Sequence, residues 1–210
     1  MAIVDLRSEQ KPAGPDVKCG RIVQGRLMQR DPKTITGICV HQTAVVFGAS
    51  SAAVLAAKGD RDLARHRRAL GVHAHATAFQ DGTGVLAYQL PSYVFHGNGL
   101  NAESIGLEIE GAYDGKADRR EVPDGAVSAA RELLARIVDE GRKAGMPLTH
   151  IWAHRQSSPS RRGDPGAELW RRVVLEYAVP VLGLETQPGR TWGEGRPIPR
   201  EWDPHGIGTY

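Results

Sequence analysis

Short runs of strand-type residues, separated by helical patterns, constrain the fold of this chain most strongly. Residues 104–110 (S-I-G-L-E-I-E) alternate strictly, which places three aliphatic side chains on one face of a strand and Glu108 with Glu110 on the other. Residues 35–41 and 148–154 are two further short apolar runs with the pattern of strands. A chain with several such runs must bury them in a shared sheet.

Helical patterns lie between these runs. Residues 125–143 repeat apolar side chains at the spacing of one helix face, with Asp124 as a candidate N-cap and Gly145 beyond the end. The remaining predicted elements are two short helices within residues 50–70, a hairpin formed by 72–79 and 85–90, and a last helix from Ala167 to Pro180. Strands interleaved with helices predict an α/β fold: a single domain with a central mixed β-sheet flanked by α-helices.

The distribution of proline and glycine sets the limits of this domain. Residues 1–34 are rich in both and predict an irregular N-terminal lead-in with one short strand near Arg21–Val23. Residues 35–182 hold the predicted elements and therefore form the domain itself. Residues 183–210 lack periodicity and predict a Pro/Gly-rich C-terminal arm, whose tryptophans we expect to pack against the domain.

Charge and cysteine content exclude some function classes. The net charge of +3 and the pI of about 9.0 are too modest to specify an anionic polymer as partner, and the arginine-rich stretches equally suit solvated helix faces. Two cysteines, Cys19 and Cys39, give no disulfide framework and no C-x-x-C motif. Neither a signal-peptide pattern nor an apolar run of about 20 residues is present, so we expect a cytoplasmic location without stable membrane insertion.

Four ionisable residues lie at or just beyond the ends of predicted strands. His41 and His154 each end a strand, Asp164 follows in a D-P-G turn, and Glu108 lies on the polar face of its strand. Imidazole and carboxylate groups are ligands of catalytic zinc, provided that the fold brings them together. Each has an ordinary alternative: a buried hydrogen-bonded histidine, a turn or helix cap at Asp164, or a surface charge, for which Glu110 is the better candidate.

The motifs occur in an order that resembles a known family. I-C-V-H-Q-T-A, V-H-A-H-A-T-A-F-Q-D-G-T-G, F-H-G-N-G, S-I-G-L-E-I-E-G and W-A-H-R-Q-S-S-P-S-R-R-G-D-P-G follow one another as in the type 2 N-acetylmuramoyl-L-alanine amidases. That family includes muropeptide-recycling amidases, phage amidases and animal peptidoglycan recognition proteins. The similarity covers about residues 35–180, and it is the succession of five motifs that makes it specific.

The resemblance implies a zinc amidase catalytic domain at residues 35–182. Zn²⁺ is expected to be bound by His41, His154 and Asp164, and Glu108 matches the catalytic glutamate of the family. Branches without that glutamate use a tyrosine in the second motif, where this chain has an alanine. The implied reaction is hydrolysis of the amide between the lactyl group of N-acetylmuramic acid and L-alanine in peptidoglycan or a soluble muropeptide.

The resemblance also implies roles around the metal. Arg162 stands where the family usually has lysine and is expected to stabilise an oxyanion by charge, since arginine does not give up its proton. His96 and Asn98, in the F-H-G-N-G motif, and His75, in the second motif, are expected to contact substrate. The implied setting is cytoplasmic recycling, or release to the cell wall by a lysis system.

Two other functions stay open at this point. A non-catalytic peptidoglycan-binding module would share the fold, but such modules typically lack a zinc ligand, and the matching ligand positions are all filled here. A nucleic-acid-binding protein is suggested only by the basic pI, and no nucleic-acid-binding motif is present. We therefore expect no nucleic-acid partner.

Overall fold

The computed structural model describes residues 3–9, 19–47, 68–113 and 121–208. Most of the two short helices predicted within residues 50–70 lies outside these ranges. None of the helices in the described part of the chain combines the length and the apolar character needed to cross a membrane.

The centre of the molecule is a seven-stranded mixed sheet. The strands of the described chain are β1 (Ile3–Asp5), β2 (Ile22–Val23), β3 (Arg26–Leu27), β4 (Gly37–Gln42), β5 (Ala76–Ala78), β6 (Gly84–Leu86), β7 (Ser104–Ile109), β8 (His150–Ala153) and β9 (Glu185–Thr186). The order in the sheet is β1-β6-β5-β7-β4-β8-β9, and β2 and β3 form a separate antiparallel ribbon. Strand β4 pairs in parallel with both β7 and β8, whereas β5 and β6 form an antiparallel hairpin. The predicted mixed sheet and hairpin are thus confirmed.

The core lies between this sheet and the helices. Ile105, Leu107 and Ile109 of β7 are fully buried in the main hydrophobic cluster, as their alternation predicts. Helix α1 (Asp124–Lys143) contributes its apolar stripe to the same cluster. Its N-cap is Pro123 and Asp124 is its first residue, so the predicted cap is displaced by one position.

The last helical segment departs from the prediction. It consists of α2 (Ala167–Leu169), π-helical turns over Trp170–Ala178, and α3 (Val179–Leu182), so it passes Pro180 and ends at Gly183 in the left-handed region. Pro180 is the second residue of α3 and lies at the junction where the π-helical turns pass into that helix.

The lead-in and the arm both join the domain. Strand β1 pairs with β6 at one edge of the sheet, and β9 pairs with β8 at the other edge. Ile198 and Trp202 of the arm belong to the main core cluster, while Trp192 packs on a smaller cluster that contains Trp152. The expected packing of the arm tryptophans is confirmed.

Candidate active site

Three adjacent parallel strands end at one edge of the sheet and bring ionisable side chains there. Strand β4 lies between β7 and β8. His41 of β4 is the register partner of Glu108 of β7. Ala153, the last residue of β8, is the register partner of Val40, so His154 follows at the level of His41. The carboxyl ends of parallel strands are the usual place for ligand crevices in α/β sheets.

His41, His154 and Asp164 form one cluster at this edge. Their ligand atoms all lie within 4.8 Å of one another. Nδ1 of His154 is 3.0 Å from Oδ2 of Asp164, and the ring centroids of the two histidines are 4.4 Å apart. Oδ1 of Asp164 accepts a hydrogen bond of 2.9 Å from the backbone N–H of Gln42. The fold therefore brings together the three residues that the motifs single out as metal ligands.

The loop that carries Asp164 is held by its backbone. The N–H of Arg155 donates to the carbonyl oxygen of Asp164 at 3.1 Å. Gly166 has a φ of 103°, and a Cβ at this position would lie 2.3 Å from the carbonyl oxygen of Tyr113, so only glycine fits. Helix α2, which follows, has no side-chain cap, so the alternative role of Asp164 as a helix cap is wrong.

The cluster fits a divalent cation of the zinc type. Nδ1 of His41 is buried and has no hydrogen-bond partner among the described residues. Burial, and then the neighbouring His154, lower the pKa of His41 well below its usual value, so the ring is neutral and can ligate without losing a proton. Two neutral imidazoles and one carboxylate are a ligand set of catalytic zinc that keeps a further position open for a reactant.

A second group with ligand atoms within 4.8 Å of one another consists of Cys39, His41 and His96. Cys39 is fully buried in a small cluster with Leu100 and Trp152, and burial raises the pKa of its thiol well above the usual value. A thiol binds metal only after losing its proton, so this environment disfavours ligation. Cys39 behaves as a small core residue.

Glu108 faces the cluster from the neighbouring strand and lines a cleft of about 490 Å³. Its Oε2 atom is buried and lacks a hydrogen-bond partner within the described ranges. Burial, followed by the negative charge of Asp164, raises the pKa of Glu108 well above its usual value, while Arg161 acts in the opposite direction. A carboxyl group with a raised pKa at the wall of a cleft is suited to general acid–base chemistry.

The cleft wall is mainly polar. Besides Glu108 it contains histidine, asparagine, serine and arginine side chains and one exposed phenylalanine: His73, Phe95, His96, Asn98, Asn101, His154, Ser158, Ser160 and Arg161. Asn98 is thus in the cleft, as expected, and its Nδ2 donates to the carbonyl oxygen of Ser157 at 3.0 Å. Arg161 lines the cleft, whereas Arg162 does not: its exposed side chain donates to the carbonyl oxygen of Pro159 at 3.4 Å.

Two of the expected substrate contacts are enclosed by protein. His75 is fully buried, with Nε2 donating to the carbonyl oxygen of Ser92 at 2.9 Å and Nδ1 accepting from the N–H of Gly106 at 3.0 Å. His96 is 6% exposed and has protein partners at both ring nitrogens. Burial and the charge of Arg30 lower the pKa of His96 to about 3.

Glu110 is not the surface charge that the sequence suggests. It is buried, and its two carboxylate oxygens accept hydrogen bonds from the backbone N–H groups of Phe47 at 2.6 Å and Gln80 at 2.8 Å. Glu110 lies one residue beyond β7, where these loop amides need an acceptor. Of the two glutamates, Glu108 is the one that lacks such backbone partners within the described chain.

Three cleft residues stand within the quoted motifs but were not singled out from the sequence. His73, Phe95 and Arg161 belong to loops, whose side-chain directions do not follow from any periodicity. The pair Arg161 and Arg162 shows the difficulty, because a shift of one residue decides which of two identical side chains enters the cleft. Only the loop conformation, set between His154 and Asp164, makes that choice.

Comparison with solved structures supports the fold. N-acetylmuramoyl-L-alanine amidase LysC from Clostridium intestinale URNW aligns with a TM-score of 0.51 and 13% identity, covering 87% of this chain and 98% of that one. Bumblebee PGRP-SA aligns with a TM-score of 0.51 and 19% identity, covering 81% and 92%. A Drosophila PGRP-LB mutant, in complex with tracheal cytotoxin, aligns with a TM-score of 0.50 and 16% identity, covering 81% and 92%. Comparison with curated protein sequences gives no significant match.

A family model matches most of the domain. The model described as N-acetylmuramoyl-L-alanine amidase (Amidase_2) matches residues 31–167, which include all four strand-end residues of the site. The resemblance drawn from the five motifs and the fold expected from it are therefore confirmed. This chain belongs to the Amidase_2 family of N-acetylmuramoyl-L-alanine amidases.

Proposed function

We propose that this chain is a zinc-dependent amidase that hydrolyses the bond between the lactyl group of N-acetylmuramic acid and L-alanine of the stem peptide. The observation that carries the proposal is the meeting of His41, His154 and Asp164, with ligand atoms within 4.8 Å, directly beside Glu108. Membership of the amidase family supports amide hydrolysis on peptidoglycan as the class of reaction.

Glu108 is the proposed general base and acid. When bound, zinc supplies Lewis-acid activation of water and of the amide carbonyl. Glu108 accepts a proton from the water while the oxygen of that water forms a bond to the carbonyl carbon. It returns that proton to the nitrogen as the carbon–nitrogen bond breaks, so the free amine of L-alanine leaves. The raised pKa of Glu108 suits this role because its carboxylate is a stronger base than that of an ordinary glutamate.

Arg161 is the proposed cation for the oxyanion, in place of Arg162. Arg161 lines the cleft with Glu108 and His154, and its charge influences the pKa of both Glu108 and His41. The side chain of Arg162 is bonded to the loop carbonyl of Pro159 instead. A guanidinium at the wall of the cleft stabilises developing negative charge without giving up a proton.

The cleft suits a glycan with an attached peptide. Amide and hydroxyl side chains of Asn98, Asn101, Ser158 and Ser160 offer donors and acceptors to sugar and peptide groups. Phe95 is 44% exposed at the same wall and offers an apolar face. The tracheal cytotoxin bound to the Drosophila PGRP-LB mutant supports a peptidoglycan-type partner.

The test is release of free stem peptide from a defined muropeptide, followed by mass spectrometry, with zinc quantified in every sample. Native protein is expected to carry about one zinc and to cut between muramic acid and L-alanine. Metal-stripped protein is expected to be inactive, and Glu108→Ala is expected to keep the metal and lose the activity. Zinc binding without hydrolysis of either muropeptide or intact wall would show a binding module and would overturn the proposal.

A further inference from the structure

His96 is the residue of the family motif whose role the structure changes most. Its ring packs edge-on against His41, with centroids 5.3 Å apart and an interplanar angle of 88°. Its other side lies against the backbone of Gly106, where a Cβ would come within 2.6 Å of the ring. Both ring nitrogens have partners inside the protein, so His96 has no free nitrogen to offer a substrate.

The hydrogen bond to Ser104 determines which nitrogen of His96 carries the proton. Nε2 of His96 lies 3.2 Å from the carbonyl oxygen of Ser104, which can only accept. The Ser104 hydroxyl donates to the carbonyl oxygen of Leu100 at 2.7 Å, so Oγ, at 3.4 Å from the same nitrogen, is also an acceptor. Nε2 of His96 therefore carries the N–H, and in a neutral ring Nδ1 has the lone pair.

The tautomer of His96 determines the tautomer of His41. Nδ1 of His96 lies 3.1 Å from Nε2 of His41, and a nitrogen with a lone pair must receive the hydrogen in this contact. His41 therefore carries its proton on Nε2. Its Nδ1 keeps a lone pair, and this is the atom that is buried without a hydrogen-bond partner in the described part of the chain.

Arg30 binds the backbone carbonyl groups that surround His96. Its guanidinium donates to the carbonyl oxygens of Ser104 at 2.6 Å, Asn101 at 2.8 Å and Leu90 at 2.8 Å. Oδ1 of Asn101 in turn accepts the backbone N–H of His96 at 2.8 Å.

We infer that His96 is a positioning residue of the metal centre: it holds His41 in the Nε2–H tautomer, so that His41 offers Nδ1 to the cation. This inference rests on the metal site of the proposed function, and it replaces the expected substrate contact of His96. Hydrogen bonds from neighbouring groups commonly fix the tautomer and orientation of metal-binding histidines.

The first test is independent of metal and of activity. Nitrogen-15 NMR of the histidine rings in the full-length, metal-free protein near pH 7.5 distinguishes protonated from unprotonated nitrogens. The expected spectrum shows His41 protonated at Nε2 and unprotonated at Nδ1, with His96 in the same tautomer. A His41 ring protonated at Nδ1 overturns the inference, whether or not the protein proves to be an amidase.

The second test measures zinc affinity by competition with a chelator. His96→Phe removes the acceptor and is expected to weaken zinc binding about 10- to 100-fold. His96→Asn, whose Oδ1 can accept the His41 proton, is expected to restore most of the affinity and the Nε2–H tautomer. His75→Phe is the comparison variant for packing: the buried His75 ring lies against His96, with centroids 5.6 Å apart, and contacts Arg30 at 3.2 Å, but it makes no hydrogen bond to His41.

The variants separate positioning from general packing. Equal losses of zinc affinity in His96→Phe, His96→Asn and His75→Phe would show a packing effect and overturn the inference. A folded His96→Phe variant with native zinc affinity would also overturn the inference. If His96→Phe does not fold, His96→Asn and the spectrum of the native protein decide. Failure of native protein to bind zinc rejects the proposed function, whereas the tautomer of His41 is still read from the metal-free spectrum.

Discussion

His41 and Glu108 are direct register partners in the parallel pair β4 and β7. The proposed ligand and the proposed base therefore lie on neighbouring strands, about 4.8 Å apart along the hydrogen-bonding direction of the sheet. Their separation is set by backbone hydrogen bonds of the central strands and not by a loop. Sites on rigid elements of this kind hold reactive groups more precisely than sites on loops.

We expect Glu108→Gln to remove activity without removing metal. Loss of the base should lower kcat by about 10²- to 10⁴-fold. Because the native carboxylate is buried with an unpartnered oxygen, the metal-free variant should be at least as stable as the native protein in urea unfolding. Activity, zinc content and the free energy of unfolding are measured on the same samples.

Glu110→Gln is the matched comparison for that experiment. Its carboxylate accepts two backbone N–H groups, so the substitution should lower the free energy of unfolding by about 1–3 kcal/mol. Folded Glu110→Gln should retain most of the activity. A Glu108→Gln variant that keeps near-native activity would reject Glu108 as the base.

The two adjacent arginines should behave differently. Arg161→Ala is expected to reduce kcat about 10²- to 10³-fold, the usual effect of losing a group that stabilises an oxyanion. Arg162→Ala should stay close to native in kcat, because its side chain does not line the cleft. Steady-state kinetics on the muropeptide distinguishes the two. A larger loss of kcat in Arg162→Ala than in Arg161→Ala would assign oxyanion stabilisation to Arg162.

The metal-free protein should lose stability in mild acid. Burial holds the pKa values of His41, His75 and His96 below the usual 6.5 in the folded chain, that of His96 at about 3. The unfolded chain binds these protons near pH 6.5, so below that pH it holds more protons than the folded chain and stability falls. The three histidines contribute about 4 kcal/mol per pH unit to the limiting slope, and the raised pKa of Glu108 acts in the opposite direction.

Urea unfolding at several pH values between 5 and 8 measures this slope. Above pH 7 the contribution of the three histidines should be constant. A His75→Gln variant should reduce the limiting slope by about 1.4 kcal/mol per pH unit, since one of the three histidine protons is removed. A slope that is unchanged in this variant would show that His75 protonates equally in both states.

The C-terminal arm should stabilise the loop between His154 and Asp164. The backbone N–H groups of Trp192 and Arg196 each donate at 2.8 Å, to the carbonyl oxygens of Gln156 and Arg155. Gly195 lies so close to this loop that a Cβ would approach the Gln156 oxygen to 1.9 Å. Gly195→Ala is therefore expected to cost about 1–3 kcal/mol in stability and to weaken zinc binding.

Gly189→Ala provides the control for the arm. A Cβ at Gly189 meets no atom within 4 Å, so stability and zinc affinity should change little, by about 0.5 kcal/mol or less. Chemical denaturation and chelator competition report the two quantities. Native zinc affinity in Gly195→Ala would show that the arm covers the loop without positioning it.

The sequence was most informative where side-chain direction follows from periodicity. The alternation of residues 104–110 and the stripe of 125–143 correctly predicted the buried faces of β7 and α1. Motif order identified the residues that meet as His41, His154 and Asp164. The two histidines meet because strand ends in a parallel sheet share an edge, whereas Asp164 is brought there by the loop after His154.

Periodicity and motif order did not predict loop conformations or hydrogen-bond partners. Whether Arg161 or Arg162 faces the cleft depends on the conformation of one loop, and the hydrogen-bond partners of Glu110 and His96 are set by the tertiary fold. The passage of the last helix beyond Pro180 likewise depends on π-helical turns that propensity does not foresee.

The buried, unpartnered oxygen of Glu108 also bears on how close this fold lies to a binding module. One nucleotide substitution converts a glutamate codon to a glutamine codon, and we expect the resulting protein to fold at least as well as the native one. Glutamine opposite His41 would leave the cluster of His41, His154 and Asp164 unchanged and would remove only the proposed base. A cleft that binds without hydrolysing is therefore a single substitution away from this sequence.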